Sequence, residues 1–266
     1  MKRTTIFVYG VLCYAVFLAV FVYAIGFVGN LGVPTALDAA PTRPTGEALR
    51  IDMALLLLFA LQHSGMARQG FKRWFTRIVP AAAERSTYVL CSSVAMGLLF
   101  AGWHGIGGTV WEARGLARLA LLALYCGGWA LVLVSTFLID HFDLFGLAQS
   151  WRALRGRAYE PPRFRTPGIY RLVRHPLYVG WLVVFWAAPT MTMAHLLCAG
   201  AITGYILVAI RLEERDLLRC HGADYARYRE SVPMLLPRPR RTAPDRLVAH
   251  TTERTPPAAA LPPGPP

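Results

Sequence analysis

Gly168-Ile169-Tyr170-Arg171-Leu172-Val173-Arg174-His175-Pro176-Leu177-Tyr178-Val179-Gly180 joins a basic, proline-broken loop to a long apolar run. Pro176 has no amide proton to lose and a preset φ, so it suits the first position of a helix. His175 then falls at the cap, with Arg174 just outside. A helix start carries unpaired N–H groups and the positive end of its dipole, and both favour an anion. Arg174 and His175 add charge and donors. Tyr178 puts a hydroxyl on the first turn, and Gly180 lets something approach the backbone. The stretch reads as the mouth of a membrane helix that holds a small charged ligand. Headgroup anchoring accounts for Arg171 and Arg174 but not for the ordered RHP-x-Y-x-G.

Outward from this mouth the chain is apolar in long runs. Of its 266 residues 55% are hydrophobic, and its mean hydropathy is positive, which ordinary soluble domains do not sustain. Six apolar segments fall at about 6–28, 51–66, 87–106, 116–139, 176–190 and 192–211. The expected fold is an all-α polytopic membrane protein: a bundle of six transmembrane helices closed by a C-terminal helical hairpin. The second and fifth segments are short of the ~20 residues a span needs.

The net charge of +13 lies in loops between these runs rather than in one patch, so it speaks for topology and not for nucleic acid. The loop after the second segment carries Arg68, Lys72, Arg73, Arg77 and Arg85 against Glu84. The loop after the fourth carries Arg152, Arg155, Arg157, Arg163, Arg165, Arg171 and Arg174. Both loops and both termini are therefore expected in the cytoplasm of a multi-pass inner-membrane protein. Lys2 and Arg3 before an apolar run resemble a signal peptide, but no clear cleavage site ends it, so it reads as the first span. The five cysteines are single and give neither a disulfide frame nor a zinc site. No metal and no obligate protein partner is called for.

The pattern divides the chain into residues 1–139, four helices around an acceptor; 140–237, a loop, hairpin and tail forming a cofactor-binding core; and 238–266, a Pro-rich tail expected to be disordered. The Asp140–Gln149 segment is an odd polar cluster at a membrane edge. Trp74, Trp103, Trp111 and Trp151 lie near span ends, where aromatic belts explain them.

The last apolar run ends in Arg211-Leu212-Glu213-Glu214-Arg215-Asp216. At 1.5 Å per residue, a rise of about 20 Å from Pro176 is answered by a descent of about 30 Å to Arg211. His175 and Glu213/Glu214 thus return to one face. A cationic helix start beside an acidic helix end suits a zwitterion. A solvated charge cluster of the two glutamates with Arg174, Arg211 or Arg215 is the competing account.

GIYRLVRHPLYVG followed by EERDLL and HGADYARYRESVP resembles the isoprenylcysteine carboxyl methyltransferase and phospholipid methyltransferase group over about residues 164–237. Upstream, LQHSGMAR at 61–68, Glu84-Arg85-Ser86-x-Tyr88-Val89-Leu90 and Asp140–Gln149 resemble its nurim-type branch, and within it the bacterial methanethiol S-methyltransferases. The resemblance implies S-adenosylmethionine as cofactor, lined by Tyr170, His175, Pro176, Leu177 and Tyr178, with Glu214 on the other wall; the reading of the helix mouth and hairpin adds Arg174, Gly180 and Glu213 to the cofactor-binding set. The loop before Gly168 and the tail tyrosines are candidates for an adenine slot. It also implies a small volatile thiol as acceptor, in a protein embedded in the lipid bilayer.

A thiol reacts as its thiolate, and an alkyl thiol is largely protonated near neutrality. A base is therefore useful, and His141 and His63 are the candidate catalytic residues. His104, His195 and His250 look peripheral. Two other readings stay open: methylation of a lipidated cysteine or phospholipid, and a nurim-like membrane protein without methyl transfer. No G-x-G-x-x-G follows a strand, which disfavours a dinucleotide fold.

Overall fold

The computed structural model describes residues 2–160 and 164–237; the tail expected to be disordered lies outside the described residues. Helices α1 (Arg3–Gly29), α2 (Thr45–Ala67), the short α3 (Gln69–Phe75) and α4 (Ala81–Gly102) come first. Strand β1 (Thr109–Glu112), α5 (Gly115–Ile139), α6 (His141–Leu144) and α7 (Leu147–Leu154) follow. A 3-10 turn (Gly168–Arg171), α8 (Pro176–Trp186), β2 (Thr190–Thr192) and α9 (Met193–Ser231) complete the chain.

This is an all-α polytopic membrane protein. Six helices occupy the six apolar segments, but four of them, α1, α2, α5 and α9, are long and apolar enough to cross a membrane. The apolar runs misjudge helix ends because a helix continues past its lipid-facing part. α2 starts at Thr45 and takes in Glu47, Arg50 and Asp52, while α4 starts at Ala81 and takes in Glu84 and Arg85. The expected short second span is in fact 23 residues. α8 has only 11 residues, ~17 Å of helix against ~30 Å of hydrocarbon. It is held by protein instead: its Gly180 crosses α5 so closely that a Cβ there would lie 2.8 Å from a Val132 methyl and 3.0 Å from the Gly128 carbonyl.

The core sits between α1, α4, α5 and α8, with Phe27, Phe100, Trp103, Tyr125, Trp129 and Val184 buried together. Trp103 is therefore no belt residue: it is buried, and its indole N–H donates to the Leu37 carbonyl at 3.1 Å. The end opposite the basic loops is closed by β1 and β2, paired antiparallel with Trp111 opposite Met191. There the 30–44 connection folds inward. Asp38 accepts from His195 Nδ1 at 2.9 Å and from the Thr192 hydroxyl, and Asn30 donates to it. His195 Nε2 lies 2.9 Å from the Phe185 carbonyl. A carboxylate and a carbonyl both only accept, so both ring nitrogens are placed to donate. It is fully buried, structural rather than peripheral.

Candidate active site

The basic end is built from the start of α8, the far part of α9 and the turn after α5. Pro176 opens α8 at its first position, where its missing N–H costs nothing. Val179 N closes the first helical bond on the His175 carbonyl, which leaves the Leu177 and Tyr178 amides as open donors at the helix mouth. His175 stands at the cap, but its side chain makes no cap bond. It points to α9, where Nε2 donates to Glu214 Oε1 at 3.0 Å. Arg174 Nε reaches the same oxygen at 2.8 Å, and the side chain of Tyr178 donates to Glu213 Oε2 at 2.9 Å. The hairpin does bring the cationic start of α8 to Glu213 and Glu214, but these are not a helix end: α9 runs on to Ser231.

Three of the residues expected to face a ligand are used otherwise. Gly180 serves the α5 crossing described above. Arg174 Nη1 donates to the Arg229 and Val232 carbonyls, and the Arg174 amide donates to the Pro233 carbonyl at 2.8 Å. It brackets the chain after α9 against α8. Tyr170 is buried; its hydroxyl donates to the Ser135 carbonyl and its carbonyl accepts from Tyr228. These residues build the walls. Leu177, Tyr178, Glu213 and Glu214 keep their positions at the mouth.

Beside the mouth lies an aromatic box. Phe164 packs 5.1 Å from the His221 ring, 5.9 Å from Tyr225 and 5.6 Å from Tyr228. α9 breaks at Gly222, whose φ of 51° and ψ of −124° are not helical; a side chain rarely adopts that backbone, and the break redirects the last turns. Tyr225 is 1% exposed, and its hydroxyl has no hydrogen-bond partner among the described residues. A buried hydroxyl left unpaired costs about 1–3 kcal/mol.

His141 follows α5 in a tight turn capped by Asp140, whose carboxylate accepts from the Asp143 amide. Gln149 donates to the Asp143 carbonyl and Tyr159 to its carboxylate. The odd polar cluster is thus mostly a scaffold for His141. The imidazole is 4% exposed and stacks 4.3 Å from the Phe137 ring. Its Nδ1 lies 2.9 Å from the Thr136 hydroxyl oxygen, and Nε2 lies 2.8 Å from the Tyr14 hydroxyl. Thr136 already donates its one hydroxyl proton to the Leu133 carbonyl at 2.7 Å. Nδ1 must therefore carry the proton and donate. Nε2 of the neutral ring is bare and accepts from Tyr14. Burial pushes His141 below its usual pKa, against the pull of Asp140.

His63, near the end of α2, stacks on Phe59 and lies within 3.1 Å of the Ser92 and Tyr88 hydroxyls on α4. Next to it Ser64 bonds the Tyr205 hydroxyl of α9 at 3.0 Å. The two histidines thus belong to separate polar clusters, one on α1 and α5, the other on α2, α4 and α9. Among the described residues no group of three His, Cys, Asp or Glu side chains could hold a metal ion.

With this geometry in hand, the chain can be set beside known proteins. A methanethiol S-methyltransferase from Mycobacterium tuberculosis is 53% identical over 242 residues, 91% of this chain and 99% of that one. Another, from Crocosphaera subtropica, is 52% identical over 89% of this chain and 93% of its own length. The chain belongs to the methanethiol S-methyltransferase family. Nurim from Rattus norvegicus is 33% identical over 73% of this chain and 78% of its own length, which agrees with the nurim-type branch. No family model matches the chain, and no solved structure does.

Sequence reasoning missed Tyr14, Phe164 and His221, and it quoted Tyr88 within a motif without giving it a role. Tyr14 lies in an apolar run with no local signal to lift it out. Phe164 and His221 stand in the two segments already suspected of holding an adenine, so an aromatic ring in each was the available clue.

Proposed function

We propose that this protein transfers a methyl group from S-adenosylmethionine to methanethiol, giving dimethyl sulfide, at the cytoplasmic face of the inner membrane. The observation that carries the reading is the reach of the likeness: it runs through 91% of this chain and 99% of the mycobacterial methanethiol S-methyltransferase. It therefore includes the helices before the hairpin as well as the hairpin itself. The excess of Arg and Lys in the loops at one end supports the orientation.

The residues at that end suit the cofactor. The open amides of Leu177 and Tyr178 take its carboxylate at the positive end of α8. Glu213 and the spare oxygen of Glu214 take the ammonium and ribose hydroxyls in charge-assisted hydrogen bonds. The box of Phe164, His221, Tyr225 and Tyr228 would hold the adenine, and the unpaired Tyr225 hydroxyl would be available to it as a hydrogen-bond partner. When bound, the cofactor supplies a methyl group already activated on a sulfonium.

The protein's own work is placement, exclusion of water and the handling of one proton. A thiol with a pKa near 8.5 is mostly protonated at neutral pH. His141 Nε2 is the bare nitrogen that receives the proton, and Tyr14 stands in front of it. The phenol passes its own proton to Nε2 as it takes the thiol's. Residues 1–139 enclose the acceptor, with His63, Tyr88 and Ser92 as a second polar wall. A small volatile thiol has few atoms to bind, so selection is by size.

Headspace measurement over membranes containing the protein, methanethiol and S-adenosylmethionine tests this directly. Dimethyl sulfide is expected, and its rate should exceed that of any prenylated cysteine. Faster turnover of the prenylated cysteine would overturn the acceptor and favour carboxyl methylation.

A further inference from the structure

Beside the site above, the α2–α3 junction, α3 and α9 line an open cleft of about 430 Å³ at the basic end. Its walls carry Arg68, Arg73, Arg215 and Arg219 against one carboxylate, Asp216, with Leu212 beside them. Asp216 is already engaged at both oxygens: Arg68 Nη1 lies 3.1 Å from one and Arg219 Nη1 3.5 Å from the other. Arg73 and Arg215 are exposed and have no ion-pair partner among the described residues. The crowding of cations is felt nearby, where burial and the charges of Arg85 and Arg68 push the Lys72 ammonium down. Four guanidinium groups around so much open space make a receptor for an anion, because their planar forks match phosphate oxygens.

The level of the cleft narrows the choice. Arg68 caps the end of α2, and Arg215 follows Arg211, where the apolar part of α9 ends. This is headgroup depth. On α3, Phe71, Trp74 and Phe75 pack together, with the Phe71 and Trp74 rings 5.4 Å apart. Trp74 is 51% exposed and Ile78, just after the helix, 67%; amphipathic aromatics of this kind settle at a bilayer interface. A water molecule's share of liquid volume is about 30 Å³, so the cleft has room for far more than one phosphate ion. We propose that it binds the phosphate headgroup of an anionic phospholipid from the surrounding leaflet, whose acyl chains cover Leu212 and the apolar surface of α3. Basic recesses between membrane helices are suited to such headgroups. The occupant ties the α2–α3 junction and α3 to α9 directly after Glu213 and Glu214, at Arg215 and Arg219, and it holds whatever the acceptor of methyl transfer is.

Native mass spectrometry on the full-length protein in mild detergent tests the assignment, with equal amounts of phosphatidylglycerol and phosphatidylcholine of the same acyl chains added. The wild type should retain phosphatidylglycerol at least ~10-fold over phosphatidylcholine, about 1.4 kcal/mol of preference. The pair Arg73→Gln and Arg215→Gln should lose that preference. Arg73→Lys with Arg215→Lys should keep part of it, which separates loss of charge from loss of fold. Arg77→Gln with Arg157→Gln removes the same charge from exposed sites outside the cleft and should keep all of it. Equal retention of the two lipids by the wild type would overturn the proposal. So would an equal loss in the Arg77/Arg157 pair, which would assign the preference to the general charge of that face. Displacement of the lipid by excess inorganic phosphate would make the cleft a free-anion site instead.

Discussion

At one end of the α8–α9 hairpin His195 meets Asp38, and at the other His175 meets Glu214. Each pair joins residues far apart in sequence and lies largely out of solvent. They differ in what they have left to offer. His195 donates from both ring nitrogens, and Asp38 is further filled by Thr192 and Asn30. At the other end both Arg174 and His175 crowd one oxygen of Glu214, while the second oxygen and His175 Nδ1 make no hydrogen bond among the described residues. The open amides of α8 and the unpaired Tyr225 hydroxyl stand near by. The same chemical pair is a rivet where its bonding capacity is spent and a candidate site where it is not.

The largest effect should come from breaking the rivet. Removing one partner of a buried ion pair costs about 3–5 kcal/mol, so Asp38→Asn or His195→Ala should sharply lower the unfolding temperature in detergent. Cofactor affinity of the fraction that stays folded should hardly change. Burial alone would push the Asp38 carboxyl up, but the His195 hydrogen bond and charge, with Thr192 and Asn30, outweigh it and hold it below the ordinary carboxylate range. A folded-state pKa below the unfolded one gives stability that is complete above that value and lost as pH falls through the folded pKa. The wild type should therefore lose stability below about pH 4, and Asp38→Asn should lose less there. An unfolding temperature unchanged by either variant would remove the distinction between the two pairs.

The open pair should respond in the opposite sense. His175→Ala and Glu214→Ala should each weaken S-adenosylmethionine binding tenfold or more, since a hydrogen bond to a charged group contributes about 1.5–3 kcal/mol. Calorimetry on inserted protein measures it, and wild-type affinity in both variants would refute the placement. Tyr225→Phe is a finer probe. Deleting an unpaired buried hydroxyl should leave the free protein as stable as before or slightly more so. Cofactor affinity should fall severalfold, about 0.5–1.5 kcal/mol. A loss of stability with no change in binding would make Tyr225 a wall residue like Tyr170.

How far the sequence reached follows the same divide. The pairing of His175 with Glu214 was legible because Pro176 dates a helix start, Arg211 marks where the apolar run ends, although the helix itself continues to Ser231, and the lengths between them fix where they meet. The pairing of His195 with Asp38 was not, since neither residue stands in a pattern and 157 positions separate them. Gly180 was misread because a glycine that admits a ligand and one that admits a neighbouring helix look alike until Val132 is seen against it. The spans were legible as apolar runs, but Asp52 and Arg85 inside helices show that hydropathy marks the lipid, not the helix. β1 and β2 were missed altogether: three or four residues that pair across the 109–192 interval carry no period of their own.

The smallest effect, and the one that bears most on the chemistry, concerns His141 and Tyr14. Both His141 nitrogens are paired, so this histidine resembles the rivet by count; but its Nε2 partner is a hydroxyl, which can exchange a proton where the carbonyl facing His195 cannot. Because burial holds its pKa below the ordinary 6.5, His141 stays neutral and able to accept a proton down to a lower pH than a free imidazole. Loss of that neutral form begins only as pH falls toward the depressed value. His141→Ala should thus slow dimethyl sulfide formation severalfold at pH 6, where thiolate is scarce, and progressively less toward pH 9, where solvent supplies it. Tyr14→Phe should follow the same profile with a smaller loss, because a thiol or a water can then approach Nε2 directly. Turnover with methanethiol measured from pH 6 to 9 decides between roles. A defect of equal size at every pH in both variants would leave the pair a positioning contact and take the proton away from Nε2.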